Sequence, residues 1–145
     1  MKVLLDANIY FALIEDPRFL PRHQSALARA APRTWLSSVV LFELLQGARG
    51  DLGRARVRRA VRQLENVGRV IAPGEGDWID AAIAQGRIWD DHPSLRSKEL
   101  QNDLLIACTA RRIGATVVTQ NTRDYAVIRP YVSHVAVPVE ALAAV

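Results

Sequence analysis

The chain has 145 residues, half of them apolar and 23% charged, which suits one soluble α/β-sized domain with a core of its own. No stretch approaches the roughly 18 unbroken apolar residues of a membrane span, and Asp6 breaks the apolar run at the N-terminus, so neither a membrane protein nor a signal peptide is expected and a cytoplasmic location is. The single cysteine, Cys108, excludes an internal disulfide and a multi-cysteine zinc site, and the net charge of +4 comes from 19 basic against 15 acidic residues.

Met1–Leu5 is a continuously apolar run of the kind found in buried parallel strands. Helical stretches are expected over Asn8–Glu15, stopped by Asp16-Pro17, and over Arg22–Ala31, stopped by Pro32. A second strand, Thr34–Ser37, leads into a helix over Val39–Ala48. Leu52–Asn66 is the next helix, with Leu52, Ala55, Val57, Ala60, Val61 and Leu64 at roughly helical spacing. From Arg49 to Arg69 there are seven arginines against two acids, Asp51 and Glu65. Such a patch attracts phosphate backbones or an acidic partner, or is simply the solvated face of a helix in a chain that uses arginine in place of lysine.

Arg69–Ala72 is a third strand, ended by Pro73-Gly74; Asp77–Trp89 is a helix, and Asp90–Lys98 a polar loop. Glu99–Ile113 is a helix closed by Gly114, followed by strands over Ala115–Thr119 and Val132–Val137. Strands alternating with helices imply βαβ units: a single α/β domain over residues 1–145, its central parallel sheet sandwiched by helices. At least two of Trp35, Trp78 and Trp89 are expected in the core.

Five acidic or amide positions stand out against this frame. Asp6 follows a strand expected to be central, where open α/β sheets gather their ligands, although an Asp there also caps a following helix. Glu43 lies among Val39, Val40, Gln46 and Gly47 on its helix, and by itself reads as the solvent edge of an amphipathic element. Asp103 has Glu99, Leu100, Ile106 and Ala107 as helical neighbours, while Gln101, Asn102, Thr109 and Arg112 fall on the other side. An ionised carboxylate in an apolar stripe costs several kcal/mol unless an arginine or a metal ion compensates it. Asn121 and Asp124 follow the Ala115–Thr119 strand, again at a strand end, where they also serve as turn formers. Carboxylates gathered at one sheet edge raise one another's pKa and are stabilised by a divalent cation; oxygen ligands point to Mg²⁺ or Mn²⁺.

With these residues in place the sequence resembles the PIN-domain family, and within it the VapC-type toxins of toxin–antitoxin pairs. The resemblance is carried by Leu4-Leu5-Asp6-Ala7-Asn8, by Ser37–Leu44 around Glu43, by Asn102–Ala110 around Asp103, and by Val118–Tyr125, in the family's order and spacing. It implies an Mg²⁺- or Mn²⁺-dependent endoribonuclease, a homodimer and a cognate antitoxin. Carried over residue by residue, Asp6, Glu43 and Asp103 are metal-binding catalytic acids, with Asn8 in support. The chain departs from some relatives at position 121, where Asn121 stands in place of an acid and Asp124 follows three residues later. We expect Asp124, with Asn121 supporting, to complete the site through the water shell of the metal.

The implied chemistry is hydrolysis of an RNA phosphodiester by a metal-activated water. A free-standing RNA-processing nuclease and a catalytically lapsed RNA- or antitoxin-binding module are the alternatives. A phospho-receiver domain would need a lysine after a late strand, and the chain has only Lys2 and Lys98. Gly74-Glu75-Gly76 lacks the third glycine of a dinucleotide fingerprint.

Overall fold

A computed structural model describes residues 1–145. The strand β1 (Lys2–Leu5) buries three successive residues, Val3, Leu4 and Leu5, which requires cover on both faces of its sheet. After it come α1 (Ala7–Glu15), α2 (Phe19–Ala30), β2 (Thr34–Ser37), α3 (Ser38–Gly47), α4 (Gly50–Asn66) and β3 (Val70–Ile71). The second half adds α5 (Glu75–Asp91), α6 (Gln101–Ile113), β4 (Ala115–Val118), α7 (Thr122–Ile128) and β5 (Val135–Val137). All strand pairs are parallel, in the order β3-β2-β1-β4-β5. The expected α/β architecture, a parallel sheet flanked by helices, is the one adopted.

The chain winds outward from β1 through β2 to β3, then returns to the other side of β1 for β4 and β5. The winding reverses between β1 and β4, and ligands of open α/β sheets bind in the crevice beyond the strand ends at such a point. The register pairs Leu5 with Val118, so Asp6 and Thr119 leave the sheet side by side, with the Asp6 amide donating to the Val118 carbonyl at 2.9 Å.

Element ends differ from the sequence expectation where local chemistry decides. α2 starts at Phe19 rather than Arg22, because Pro21 falls in its first turn, where no backbone donor is needed. Asp90 and Asp91 continue α5, and the expected loop behind it contains a short 3₁₀ turn at Pro93–Leu95. α6 begins at Gln101 and closes on Gly114 in the left-handed region, φ 69°. From Leu104 to Ala110 every residue of α6 is buried, so this helix runs through the core rather than along it. Thr109, expected on a polar face, is therefore inside; its hydroxyl donates to the Leu105 carbonyl at 2.7 Å and needs no solvent.

Two further expectations fail. None of the tryptophans is fully buried: Trp35 and Trp89 are half-buried and Trp78 is 50% exposed. α4 seats only Val57 and Val61 firmly, leaving Leu52, Ala55 and Ala60 exposed, since it touches α1, α3 and β2 along one narrow stripe.

Asp77 has a structural role that the sequence reading did not assign. Its buried Oδ2 accepts from the Gly74 amide at 2.9 Å, capping α5, and from Arg112 Nε at 2.8 Å, while Arg112 also donates to the Ala72 carbonyl. Asp77→Ala removes a cap and a charge-assisted bond together and is expected to cost about 2–3 kcal/mol. A denaturant midpoint lowered to match, with function per folded molecule unchanged, is the result to look for.

Candidate active site

Asp6 is 4% exposed and tightly held. Its Oδ1 accepts from the Ala7 amide at 2.9 Å as the cap of α1, and its Oδ2 accepts from Thr119 Oγ1 at 2.7 Å and, more loosely, from Asn8 Nδ2 at 3.4 Å. Capping and site placement are thus one geometry, because the helix after β1 starts at the crevice. Asn8 also donates to Thr119 Oγ1 at 3.2 Å and accepts from the Gln120 amide at 3.1 Å, stitching the two strand ends together.

Ser37 ends β2 and caps α3 by accepting from the Val39 amide at 3.2 Å, which aims this helix away from the same sheet edge. Glu43 lies midway along it. Rather than standing at a solvent edge, it is half-buried with Oε1 fully enclosed and without a hydrogen-bond partner. Asp103 occupies the first turn of α6, where the helix dipole favours a negative charge, and is also half-buried. On the last side, Asp124 sits in the first turn of α7; Asn121 Nδ2 donates to its Oδ2 at 2.7 Å and Lys98 Nζ to its Oδ1.

The structure brings the four acids into one electrostatic group. Burial pushes Asp103 up to about 7, helped by the charges of Asp6, Glu43 and Asp124 and opposed by Lys98. Burial and the charge of Asp6 raise Glu43 to about 7 as well. Asp6 is raised by burial despite the bonds from Thr119 and Ala7. Asp124 behaves in the opposite way: burial works against its ionisation, but the bonds from Lys98 and Asn121 and the charges of Lys98 and Arg123 hold it below its ordinary value. Lys98–Asp124 is the one salt bridge in the group; Asp6, Glu43 and Asp103 are paired with no cation. Tyr125 closes the base of the group. Its buried hydroxyl has no hydrogen-bond partner, and burial followed by the charges of Asp6, Asp103 and Glu43 raises its pKa well above the ordinary value.

Residues 3–129 match the family described as PIN domain. The chain belongs to that family. Among its relatives, Ribonuclease VapC1 of Haemophilus influenzae strain R2866 is 28% identical over 132 residues, covering 86% of this chain and 90% of the relative. A crystal structure of DNA-bound VapBC from Salmonella typhimurium superposes with a TM-score of 0.67 at 25% identity, over 96% of this chain and 98% of that one. VapBC-1 from nontypeable Haemophilus influenzae gives 0.63 at 22% identity, over 97% and 99%, a likeness of fold.

Several parts of this PIN domain's site escaped the sequence reading. Thr119 is its hub, donating to Asp6 and accepting from Asn8 and from the Asn121 amide. Its position as the last residue of an apolar strand run was the available signal. Lys98, considered only as a possible lysine after a strand, reaches the acids from the loop before α6. Tyr125 was read only as the residue after Asp124.

No group of three or more carboxylate, imidazole or thiol side chains closes a coordination shell as the side chains stand. Three mutually repelling acids without a cationic partner, one with an enclosed and unpartnered oxygen, nevertheless fit a hydrated divalent ion. Mg²⁺ keeps several waters and is commonly bound through one or two carboxylates. The arginines of α4 are only partly committed: Arg54 pairs with Asp51 and Arg58 with Glu65, whereas Arg56, Arg59 and Arg62 have no acidic partner. Arg69 is structural, donating to the Ala31 and Pro32 carbonyls.

No helix is long and apolar enough to cross a membrane.

Proposed function

We propose that this PIN domain is a metal-dependent endoribonuclease acting as the toxin of a VapBC-type pair, with Asp6, Glu43, Asp103 and Asp124 as its catalytic acids. The observation that carries the reading is the trio Asp6, Glu43 and Asp103 at the β1/β4 crevice, one buried and two half-buried, raising one another's pKa and without a cation. The likeness to Ribonuclease VapC1 supports RNA as substrate, and the VapBC complexes support a cognate antitoxin as partner. A homodimer, a single domain over 1–145 and a cytoplasmic location belong to the same reading.

Asp6, Glu43 and Asp103 would hold Mg²⁺ or Mn²⁺, which supplies positive charge opposite the scissile phosphate and acidifies a water. The chain's own contribution is positional. Thr119, Ala7 and Asn8 fix Asp6 so that it reorganises little as charge develops. Glu43 Oε1 has no internal donor to neutralise it, so its carboxylate would depend on a bound cation for compensation. Lys98 and Asn121 each hold one oxygen of Asp124 and keep it ionised beside the trio.

Cleavage of single-stranded RNA is expected with Mg²⁺ or Mn²⁺ and abolished by EDTA, with recovery on adding metal back. Cleavage undiminished in EDTA would sink the metal mechanism. Asp124→Asn is expected to lower turnover by more than it weakens metal affinity, and Asn121→Ala to have the milder effect. Rates and metal titrations of the two variants check this; an Asp124→Asn protein with full activity would remove that residue from the site.

A further inference from the structure

A second cleft lies between α7 and the segment around β5, with Tyr125 in its wall. Its volume is about 520 Å³, within the range of roughly 300–1,000 Å³ typical of small-ligand sites. Its walls include Thr122, Arg123, Tyr125, Arg129, His134 and Pro138, and no carboxylate. Arg123 and Arg129 are exposed and neither is paired with an acid, whereas six other arginines are. His134 is buried, with Nδ1 2.6 Å from the Val132 carbonyl. That contact makes Nδ1 the donor and leaves Nε2 as the remaining polar atom of the ring. The His134 ring meets Tyr125 edge to face at 5.7 Å, so one aromatic wall joins the cleft to the acidic centre.

We infer that this cleft seats a backbone phosphate of the substrate strand flanking the scissile phosphodiester, held on Arg123 and Arg129. Two unpaired guanidinium groups over a carboxylate-free surface suit a phosphate, which arginine binds through paired N–H donors. The cleft extends the proposed ribonuclease site past Tyr125, and its assignment rests on that reading of the substrate.

The test is binding of a labelled single-stranded oligoribonucleotide in EDTA, followed by fluorescence anisotropy over a range of salt concentrations, alongside steady-state cleavage in Mg²⁺. Arg123→Ala/Arg129→Ala is expected to weaken binding tenfold or more and to reduce the slope of log affinity against log salt by about one. In cleavage, KM should rise by a similar factor while kcat changes less than threefold. Arg123→Lys/Arg129→Lys should restore the salt slope but only part of the affinity, since lysine lacks the paired donors. Unchanged affinity and slope in the alanine pair, with a melting temperature equal to that of the parent, overturn the cleft. So does a variant that loses affinity for polyglutamate but not for RNA, which would assign the arginines to an acidic protein segment. If the parent cleaves no RNA with either metal, the ribonuclease reading fails, while the anisotropy measurement, which needs no cleavage, still decides whether the cleft holds RNA.

Discussion

Asp103→Asn is expected to lower RNA cleavage by roughly 10³-fold while raising the melting temperature of the metal-free protein. The two effects have one cause. Asp103 is buried among Asp6, Glu43 and Asp124, with Lys98 as a partial counterweight, and that arrangement pushes its pKa to about 7. An asparagine keeps the shape, removes the charge and relieves the repulsion, but offers a weaker ligand to a cation. Glu43→Gln should behave in the same way, since no donor in the protein depends on Glu43 Oε1. Asp6→Asn should also abolish cleavage without the gain in stability, because both oxygens of Asp6 accept bonds that an amide reproduces only in part. Cleavage rates, far-UV circular dichroism and melting curves in EDTA for the three variants make the comparison. A variant of Asp103 that is stabilised yet fully active would separate the acids from catalysis.

The second large effect is on stability as a function of pH. In the folded chain burial and neighbouring carboxylates push Asp103 and Glu43 up to about 7, from ordinary values of 3.8 and 4.5. As pH falls through 7 the folded state takes up protons that the unfolded chain does not, so stability rises until the unfolded carboxylates also protonate, near 4. Above 7 the full penalty of two ionised, crowded carboxylates remains. A shift of this size corresponds to about 4 kcal/mol for one isolated buried group. Partial exposure and the sharing of one repulsion between neighbours reduce it to about 2 kcal/mol in all, or about 6 °C in Tm. Asp124, held below its ordinary value, works the other way: its contribution is present above the ordinary carboxylate range and is lost only as pH falls through its lowered folded pKa. The metal-free protein should therefore melt higher at about pH 5 than at about pH 8, and Mg²⁺ should close much of that gap. Melting curves that are flat across this window, with and without metal, would contradict the proposed grouping of the acids.

How much of this was legible in the sequence follows from the range of the interactions. β1 and β4 announce themselves because a strand buried on both faces must be continuously apolar, and Val3–Leu5 and Ala115–Val118 are. Asp6 and Asp103 stand out because a carboxylate beside such runs has no cheap structural explanation. Glu43 does not, since only the packing of α3 against α6 turns its expected solvent edge into a half-buried position. Thr119 and Lys98 were silent for a related reason: their partners, Asp6 and Asp124, lie 113 and 26 residues away along the chain. The tryptophans misled because a large apolar side chain is a statement about burial on average, and Trp78 lies on an outward face of α5. Thr109 misled in the other direction, since a hydroxyl that bonds to its own helix is as easily buried as a methyl group.

The position of β1 in the middle of the sheet sets the order in which a growing chain becomes competent. β1 can pair with β2 as soon as both are made, but its other neighbour, β4, begins at Ala115, and the hydroxyl that fixes Asp6 belongs to Thr119. Long-range parallel pairing of this kind has high contact order and forms late. Until the chain has been made past Thr119, Asp6 therefore lacks its clamp. A chain that stops short of Thr119 carries Asp6, Glu43 and Asp103 unassembled, and the proposed centre comes into being only once β4 and the residue after it are in place.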